Sequence, residues 1–481
     1  MTLYMVRYSE IGLKGERERK RMENILMSNI TRYYEIGGMR SNCRLMSGHI
    51  LVDAEDDGPL RHIMGIKSYS PVNRFRFETL EDIRKIASDL YGEKVGGKTF
   101  GVRCNRTGTH SFTSLDVERS IGDALYDKSA GVNLRNPDIW IHADILGKDV
   151  FFYHDVIPGP GGLPLGSEGK YIALVSGGID SPVATWMVMK RGSPCDILFC
   201  SLSYPVDLKA FVDVVKKLVE RWAPYKKPRI FIADCRSLIR TMVVEGKTRY
   251  SNVTFKRVIY RLAEKLALEN GYNGIVTGES LGQVSSQTAE NLRSIENGIS
   301  VPVIRPLIGM DKDEVVDIAR RIGTFPEVNM GEFCSLFASH PIIRSRPEDI
   351  DEDMKAIDME DLFSSIRSYD IDGLTGMVGS DLSLKGSLPK DAVVIDLRPR
   401  SAYDKEHVPD SINMTIREAM DISDKDRTYV IYCSMGLQSA YVASVLRNHG
   451  IKAYYSTFRD IKKMVSENES GKLGGIDQPA K

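Results

Sequence analysis

The chain has 481 residues, more than one ordinary core can serve, so two to four domains are expected. A hydrophobic content of 42%, a charged content of 27% and 65 basic against 65 acidic residues describe a globular chain without net charge, so any nucleic-acid binding must come from local patches. No apolar run approaches membrane-spanning length and MTLYMVRYSEIGLKGERERKR lacks a signal-peptide core, so a cytoplasmic protein with no membrane partner is expected. Seven scattered cysteines without a CxxC pair argue against a zinc ribbon, a disulfide scaffold or an iron–sulfur cluster, and for a reducing compartment.

Residues 1–57 open with a short strand, Leu3 to Tyr8. A basic helical stretch, Lys14 to Ile30, and a further strand, His49 to Val52, follow. This alternation predicts a small ferredoxin-like α+β domain. Lys14, Arg17, Arg19, Lys20 and Arg21 can meet phosphates, but Glu16, Glu18 and Glu23 are interleaved with them, and a solvated face is the default for such a run.

In residues 58–158, Thr99 to Cys104 reads as a strand. Arg103 and Arg106 lie on either side of its end, and a Gly-Thr-His-Ser-Phe loop leads into a helix with Ser114 or Asp116 as its cap. Two more strands joined by a Gly-Lys turn lie in NPDIWIHADILGKDVFFYHD. Arg103, Arg106 and His110 can grip phosphates or 2′-hydroxyl groups. On a surface strand such arginines are as often plain solubilising charge. The series F-x-V-R, R-x-G-x-H-x-F-x-S and N-P-D before a β run resembles the THUMP domain, an α/β RNA-binding module that recognises the shape of a tRNA acceptor region. Residues 159–170, GPGGLPLGSEGK, are a Gly- and Pro-rich linker.

Residues 171–340 begin with a strand, Tyr171 to Val175, that runs into Ser176-Gly177-Gly178-Ile179-Asp180-Ser181 and a helix. Ser181 is placed to cap that helix, Pro182 suits its first turn, Val183, Ala184, Met187 and Val188 form one apolar face, and Gly192 can end it. Strand, glycine turn and helix N-terminus together suit an anion. A Walker A loop is excluded, because no Lys-Ser/Thr pair follows the second glycine. SGGIDS resembles instead the pyrophosphate loop of the PP-loop ATP pyrophosphatases, which split ATP between the α- and β-phosphates. Further strands at Asp196 to Leu202, Arg229 to Asp234 and Gly274 to Thr277, with helical runs between them, predict a doubly wound parallel sheet. The polar string Gly278 to Thr288, GESLGQVSSQT, suits a site at a strand end better than a connection.

TGESLGQVSSQT is close to the signature of the tRNA 4-thiouridine synthetase family, in which a THUMP domain precedes a PP-loop domain. That resemblance implies ATP contacts at Leu174, Val175, Ser176, Gly177, Gly178, Asp180, Ser181, Phe199, Cys200, Lys256, Gly278 and Gln287. Taken alone, Phe199 and Cys200 read as core, and Lys256 and Arg257 as a solvated face. Asp311 reads as a helix N-cap with Glu314 closing a capping box. The resemblance places Lys312, at the mouth of that helix, beside the α-phosphate, with Asp180 as its catalytic companion. It makes Cys334, otherwise a small buried hydrophobe, a catalytic thiol.

Residues 341–388 are acidic and periodic in places, and read as one or two helices between domains. Residues 389–462 hold a strand, Ala392 to Leu397, and another, Thr428 to Tyr432, that feeds Cys433-Ser434-Met435-Gly436-Leu437-Gln438-Ser439 and a helix. A thiol at such a turn has surroundings that favour the thiolate. D-x-R at Asp396, H-x-P at His407, I-N at Ile412 and C-x-x-G-x-x-S at Cys433 resemble the rhodanese domain. Many rhodaneses carry arginine where Gln438 stands, which puts thiosulfate binding in doubt. Cys43, Cys104, Cys195 and Cys235 read as core, and 463–481 as a tail.

The resemblance as a whole implies a tRNA sulfurtransferase. ATP with Mg²⁺ adenylates O4 of uridine 8, and sulfur arrives as a persulfide on Cys433 from a cysteine desulfurase or other donor. Cys334 and Cys433 end as a redox disulfide that a reductant reopens, and the acidic connection between their domains gives the swing that a shuttling arm needs. Service to a small sulfur-carrier protein for thiamine synthesis and the oligomeric state, homodimer included, stay open. Two rivals remain: another PP-loop adenylating ligase, and a non-catalytic RNA-binding sulfur carrier.

Overall fold

The computed structural model describes residues 1–202, 208–326, 342–376, 382–389, 391–434 and 436–473. The chain divides into two compact units. The first holds 1–168 with 189–193 and 222–226, and the second holds 169–188, 194–221 and 227–481.

In the first unit the elements run β1 (Thr2–Arg7), α1 (Glu16–Ile36), β2 (Ser41–Met46), β3 (His49–Ala54), β4 (Ser68–Pro71), β5 (Asn73–Arg76), α2 (Leu80–Tyr91), β6 (Phe100–Thr107), α3 (Ser114–Tyr126), β7 (Ile139–Leu146), β8 (Asp149–Tyr153) and β9 (Ile157–Pro158). They make a five-stranded sheet in the order β2-β3-β1-β4-β9 and a four-stranded sheet in the order β5-β8-β7-β6. Met5, Leu51, Val72, Leu146, Phe151 and Tyr153 form one apolar cluster shared by the two sheets. The basic run at the start of α1 is largely paired within its own helix: Lys20 reaches Glu16 at 2.8 Å and Arg21 reaches Glu18. α3 is capped by Thr113, one residue before the expected Ser114. Its hydroxyl takes the Asp116 N–H and the Asp116 carboxylate takes the Thr113 N–H, so Asp116 is the far half of a capping box.

The second unit begins with β10 (Tyr171–Leu174), α4 (Asp180–Lys190), β11 (Cys195–Ser201), α5 (Leu208–Trp222), β12 (Ile230–Asp234), α6 (Arg236–Ile239), α7 (Ser251–Asn270), β13 (Ile275–Val276), α8 (Ala289–Glu296), β14 (Val303–Ile304) and α9 (Lys312–Ile322). α10 (Pro347–Met354), α11 (Met359–Ser365), β15 (Arg367–Tyr369) and α12 (Ile371–Gly376) follow. The strands form one sheet, β14-β13-β10-β11-β12-β15, parallel except for β15. The chain moves outward on one side from β10 to β12, then returns to the other side at β13. The switch therefore falls between β10 and β13, where ligands of open α/β sheets sit.

Two expectations change here. Ser181 is not a cap: α4 starts at Asp180, so Ser181 lies inside the first turn and its hydroxyl is turned back to the glycine loop. The acidic segment is not a free arm between domains. Asp353 of α10 accepts the Arg249 N–H at 2.9 Å, the Tyr250 N–H at 2.6 Å and the Thr254 hydroxyl at 2.9 Å, which supplies the missing cap of α7. β15 adds an antiparallel edge to β12. Ile350 and Leu362 face the core, and Asp353 is buried with them.

The last sheet is β17-β16-β18-β19, all parallel. It is built from β16 (Ala392–Asp396), β17 (Ile412–Asn413), β18 (Thr428–Cys433) and β19 (Lys452–Thr457), with α13 (Arg400–Lys405), α14 (Ile416–Met420), α15 (Leu437–Asn448) and α16 (Phe458–Leu473). Arg398 is fixed to Asp396 by a forked pair at 2.7–3.1 Å and stacks on Phe458, so the D-x-R motif is a brace for the end of β16. Among the described residues no helix is long and apolar enough to cross a membrane.

Candidate functional site

The turn after β10 is stapled by its serines. The Ser176 N–H donates to Ser181 Oγ at 2.9 Å, the two hydroxyl oxygens lie 3.2 Å apart, and the Gly178 N–H reaches Ser176 Oγ at 3.3 Å. A Cβ at Gly177 would come within 3.0 Å of Ala210 on α5, and one at Gly278 within 2.6 Å of the Ser181 nitrogen. The chain leaving β13 thus lies directly against the start of α4, and only glycine fits at 278.

Asp180 is the junction of three elements. Its Oδ1 meets the Lys312 ammonium at 2.7 Å, and its Oδ2 accepts from Gln283 Nε2 at 2.8 Å. Lys312 is the first residue of α9, capped by Asp311 and Glu314 as the sequence predicts. Gln283 was missed as a site residue. It stands in the polar string after β13, but nothing in that string separates it from its neighbours. Gln287 is buried, and its Oε1 accepts the Ser280 N–H at 3.1 Å, so it fixes the loop 278–288.

Lys256 and Arg257 do not lie on a solvated face. Arg257 is 1% exposed and donates to the Ser294 carbonyl and to Asp351. The Lys256 ammonium lies 3.6 Å from Oε1 of Glu279, which is also 1% exposed. Burial alone would raise the Glu279 carboxyl. The Lys256 charge first, then Tyr260 and Arg305, outweigh it and hold that carboxyl below its ordinary range. Leu174 ends β10 and Val175 follows it. Phe199 stacks on Phe211 at 4.1 Å, and Cys200 belongs to the main apolar cluster, so the side chains of this pair are spent in the core.

In the first unit, Arg106 Nη1 donates to the Gly108 carbonyl and to His110 Nδ1, both at 3.0 Å. His110 then donates from Nε2 to the Gly147 carbonyl at 2.7 Å. These two brace the loop after β6. Arg103 is exposed and lies over Trp140, 4.8 Å from the ring centroid.

Cys433 ends β18, a central strand. Its Sγ accepts the Gly436 N–H at 3.1 Å and lies 3.5 Å from Ser439 Oγ. Gly436 sits at φ +86°, the left-handed conformation that aims its N–H at the sulfur. Cys334 lies outside the described residues. The six described cysteines are free thiols. Burial pushes Cys43 up to about 11 and Cys104 up to about 12, and raises Cys195 as well, which fits a packing role for each.

A glycine–serine turn at a sheet's switch point, with two lysines from separate helices and a thiol turn in the same chain, defines a nucleotide-dependent group-transfer protein. Comparison with known proteins specifies the class. Residues 3–70 match the ThiI ferredoxin-like domain, 77–155 the THUMP domain, 166–359 the family described as thiamine biosynthesis protein (ThiI), and 383–462 the rhodanese-like domain. The tRNA sulfurtransferase of Thermoplasma acidophilum is 80% identical, with all of both chains covered. That of Pyrobaculum aerophilum is 36% identical over 98% of this chain and 100% of its own. Among solved structures, a 4-thiouridine synthetase–RNA complex with bound ATP is 30% identical with a TM-score of 0.65, covering 77% of this chain and 99% of that one. The chain belongs to the tRNA sulfurtransferase family.

Proposed function

We propose that the protein transfers persulfide sulfur to uridine 8 of tRNA at the expense of ATP, making 4-thiouridine. The observation that carries this reading is the junction at Asp180, where Lys312 and Gln283 close over the Ser176–Ser181 turn. Oxygen is a poor leaving group from a uracil carbonyl carbon, so O4 first attacks the α-phosphate of ATP and pyrophosphate departs. The turn, with the N-terminus of α4, holds the departing pyrophosphate. Lys312 stabilises charge that develops at the α-phosphate, and Lys256 meets the phosphates from the other side of the switch point. Mg²⁺ fits as an ion carried mainly by the nucleotide. Among the described residues no three side chains cluster as ligands, and Asp180 is the carboxylate at the turn. When bound, it neutralises charge on the leaving pyrophosphate.

A cysteine desulfurase or another persulfide donor loads Cys433. Its terminal sulfur attacks C4, and AMP leaves. Cys334 then takes Sγ of Cys433, which releases the thiolated base and leaves a Cys334–Cys433 disulfide for a reductant to reopen. The front unit docks the tRNA, with Arg103 as an exposed cation on β6. The thiamine name of the matching family favours a second outlet, the same persulfide passed to a small sulfur-carrier protein. These reactions belong to the cytoplasm on this proposal.

The test combines full-length protein, tRNA, ATP and a persulfide donor, and follows AMP and 4-thiouridine together. Both are expected in equal amounts. AMP without thiouridine points to another adenylating ligase. Neither product, with RNA and persulfide still bound, points to a carrier with a dead nucleotide site. Either result overturns the proposal.

A further inference from the structure

Glu279 stands one residue beyond the glycine that backs onto Ser181. Its two carboxylate oxygens are treated very differently. Oε2 accepts from the Tyr260 hydroxyl at 2.5 Å, the Arg305 Nε–H at 3.0 Å and the Thr277 hydroxyl at 3.1 Å. Three donors on one oxygen fix the plane of the group. Arg305 is itself fixed, with its other nitrogens on Glu296 at 2.7 Å and on the Tyr260 oxygen at 3.2 Å. Oε1 is buried and takes no hydrogen bond among the described residues. What faces it is the Lys256 ammonium, at 3.6 Å. Buried carboxylate oxygens ordinarily have partners. This one is held rigid and left to a single cation at the edge of the nucleotide turn.

We propose that Glu279 is the positioning residue of the nucleotide site: its locked carboxylate holds and keeps charged the Lys256 ammonium that meets the phosphates. The inference rests on the reading of Lys256 as a phosphate contact. Lys256 comes from α7 and the turn from β10, so no local geometry sets one against the other. The side chain of a lysine has four rotatable bonds, and an ammonium near the floor of a sheet is expensive to bury unpaired. A fixed carboxylate solves both problems. It selects one extended conformer, and it keeps the proton on the amine. Because Oε1 stops short of a hydrogen bond, the pair at 3.6 Å itself takes up none of the ammonium N–H groups. Arg305 and Tyr260 supply the restraint that prevents the carboxylate from following the ammonium.

Equilibrium binding of ATP to the full-length protein tests this, with wild type, K256A, E279Q and the double variant. E279Q keeps the shape and removes the charge. It should weaken ATP about tenfold, the value of one charge-assisted contact, and shift the alkaline loss of binding to lower pH. On the K256A background it should add nothing. An equal loss on both backgrounds makes Glu279 a packing residue and overturns the inference. K256A weakened but E279Q unchanged overturns the inference alone. K256A unchanged overturns the reading of Lys256 and the inference with it. Should E279Q not fold, E279D keeps the charge beside Arg305 and withdraws it from Lys256. A loss of at least about threefold is then expected, and unchanged affinity sinks the proposal.

Discussion

The turns after β10 and β18 are built alike and equipped differently. Each leaves the end of an interior parallel strand and enters a helix N-terminus, with glycine where the backbone must come close. At the first, serine hydroxyls staple the loop, and charge comes from elsewhere: Lys312 at 2.7 Å from Asp180, whose other oxygen accepts from the Gln283 amide at 2.8 Å, and Lys256 held at Glu279. At the second, the sulfur is cradled by a backbone N–H and a serine, and the loop sequence CSMGLQS carries no cation. On the proposed function the difference follows the cargo. A departing pyrophosphate has several negative charges and needs cations that converge from distant helices. A persulfide has one, and a backbone N–H suffices.

Cys433→Ala breaks the comparison most completely. Persulfide-dependent thiolation should fall by roughly a thousandfold or more, while ATP affinity stays at the wild-type value. A parallel drop in ATP affinity would show the two turns to be one site. Lys312→Ala should slow tRNA-dependent AMP formation roughly a hundredfold, the value of one group aimed at developing charge. Persulfide loading of Cys433, read by mass spectrometry, should not change.

Gly278→Ala sharpens the steric side. Its Cβ must displace the Ser181 backbone, 2.6 Å away, at a cost of about 1–3 kcal/mol. ATP affinity should fall with the melting temperature. Asp353→Asn removes the charge that caps α7 and should cost about 1–2 kcal/mol of stability, measured by urea unfolding, with Cys433 loading intact.

The smallest effect belongs to a group outside both turns. Burial, opposed by Asp144, lowers the His142 pKa from its ordinary value. Folding therefore favours neutral imidazole. That stability is present above the ordinary value and is lost as pH falls through the lowered one. Thermal melts should show the loss on acidification below about pH 6.5. His142→Gln should flatten it without altering either turn's activity.

Both turns were legible as sequence, because each is a local device. Strand, glycine, hydroxyl or thiol, and helix start follow one another within a dozen residues, and the capping box at Asp311–Glu314 is local in the same way. Two misreadings are local, where one hydroxyl takes the role expected of a neighbour, and two are cases where a distant partner intervenes. Ser181 is drawn from capping to stapling by Ser176, and Thr113 rather than Ser114 closes the box with Asp116. Arg257 looks like surface until the Ser294 carbonyl and Asp351 surround it. The acidic segment reads as a tether, but Asp353 meets the bare amides of α7 and β15 meets the edge of β12.

The chain by itself determined the order of its domains, the two turns and the chemistry they suit, because period, punctuation and motif are written in neighbouring residues. Tertiary structure alone decided which side chains gather at and beside the turn after β10. Lys256 comes from α7, Lys312 from α9, and Glu279 and Gln283 from the loop after β13, and a sheet whose strand order reverses between β10 and β13 sets Lys312 and Gln283 on Asp180 and Lys256 on Glu279.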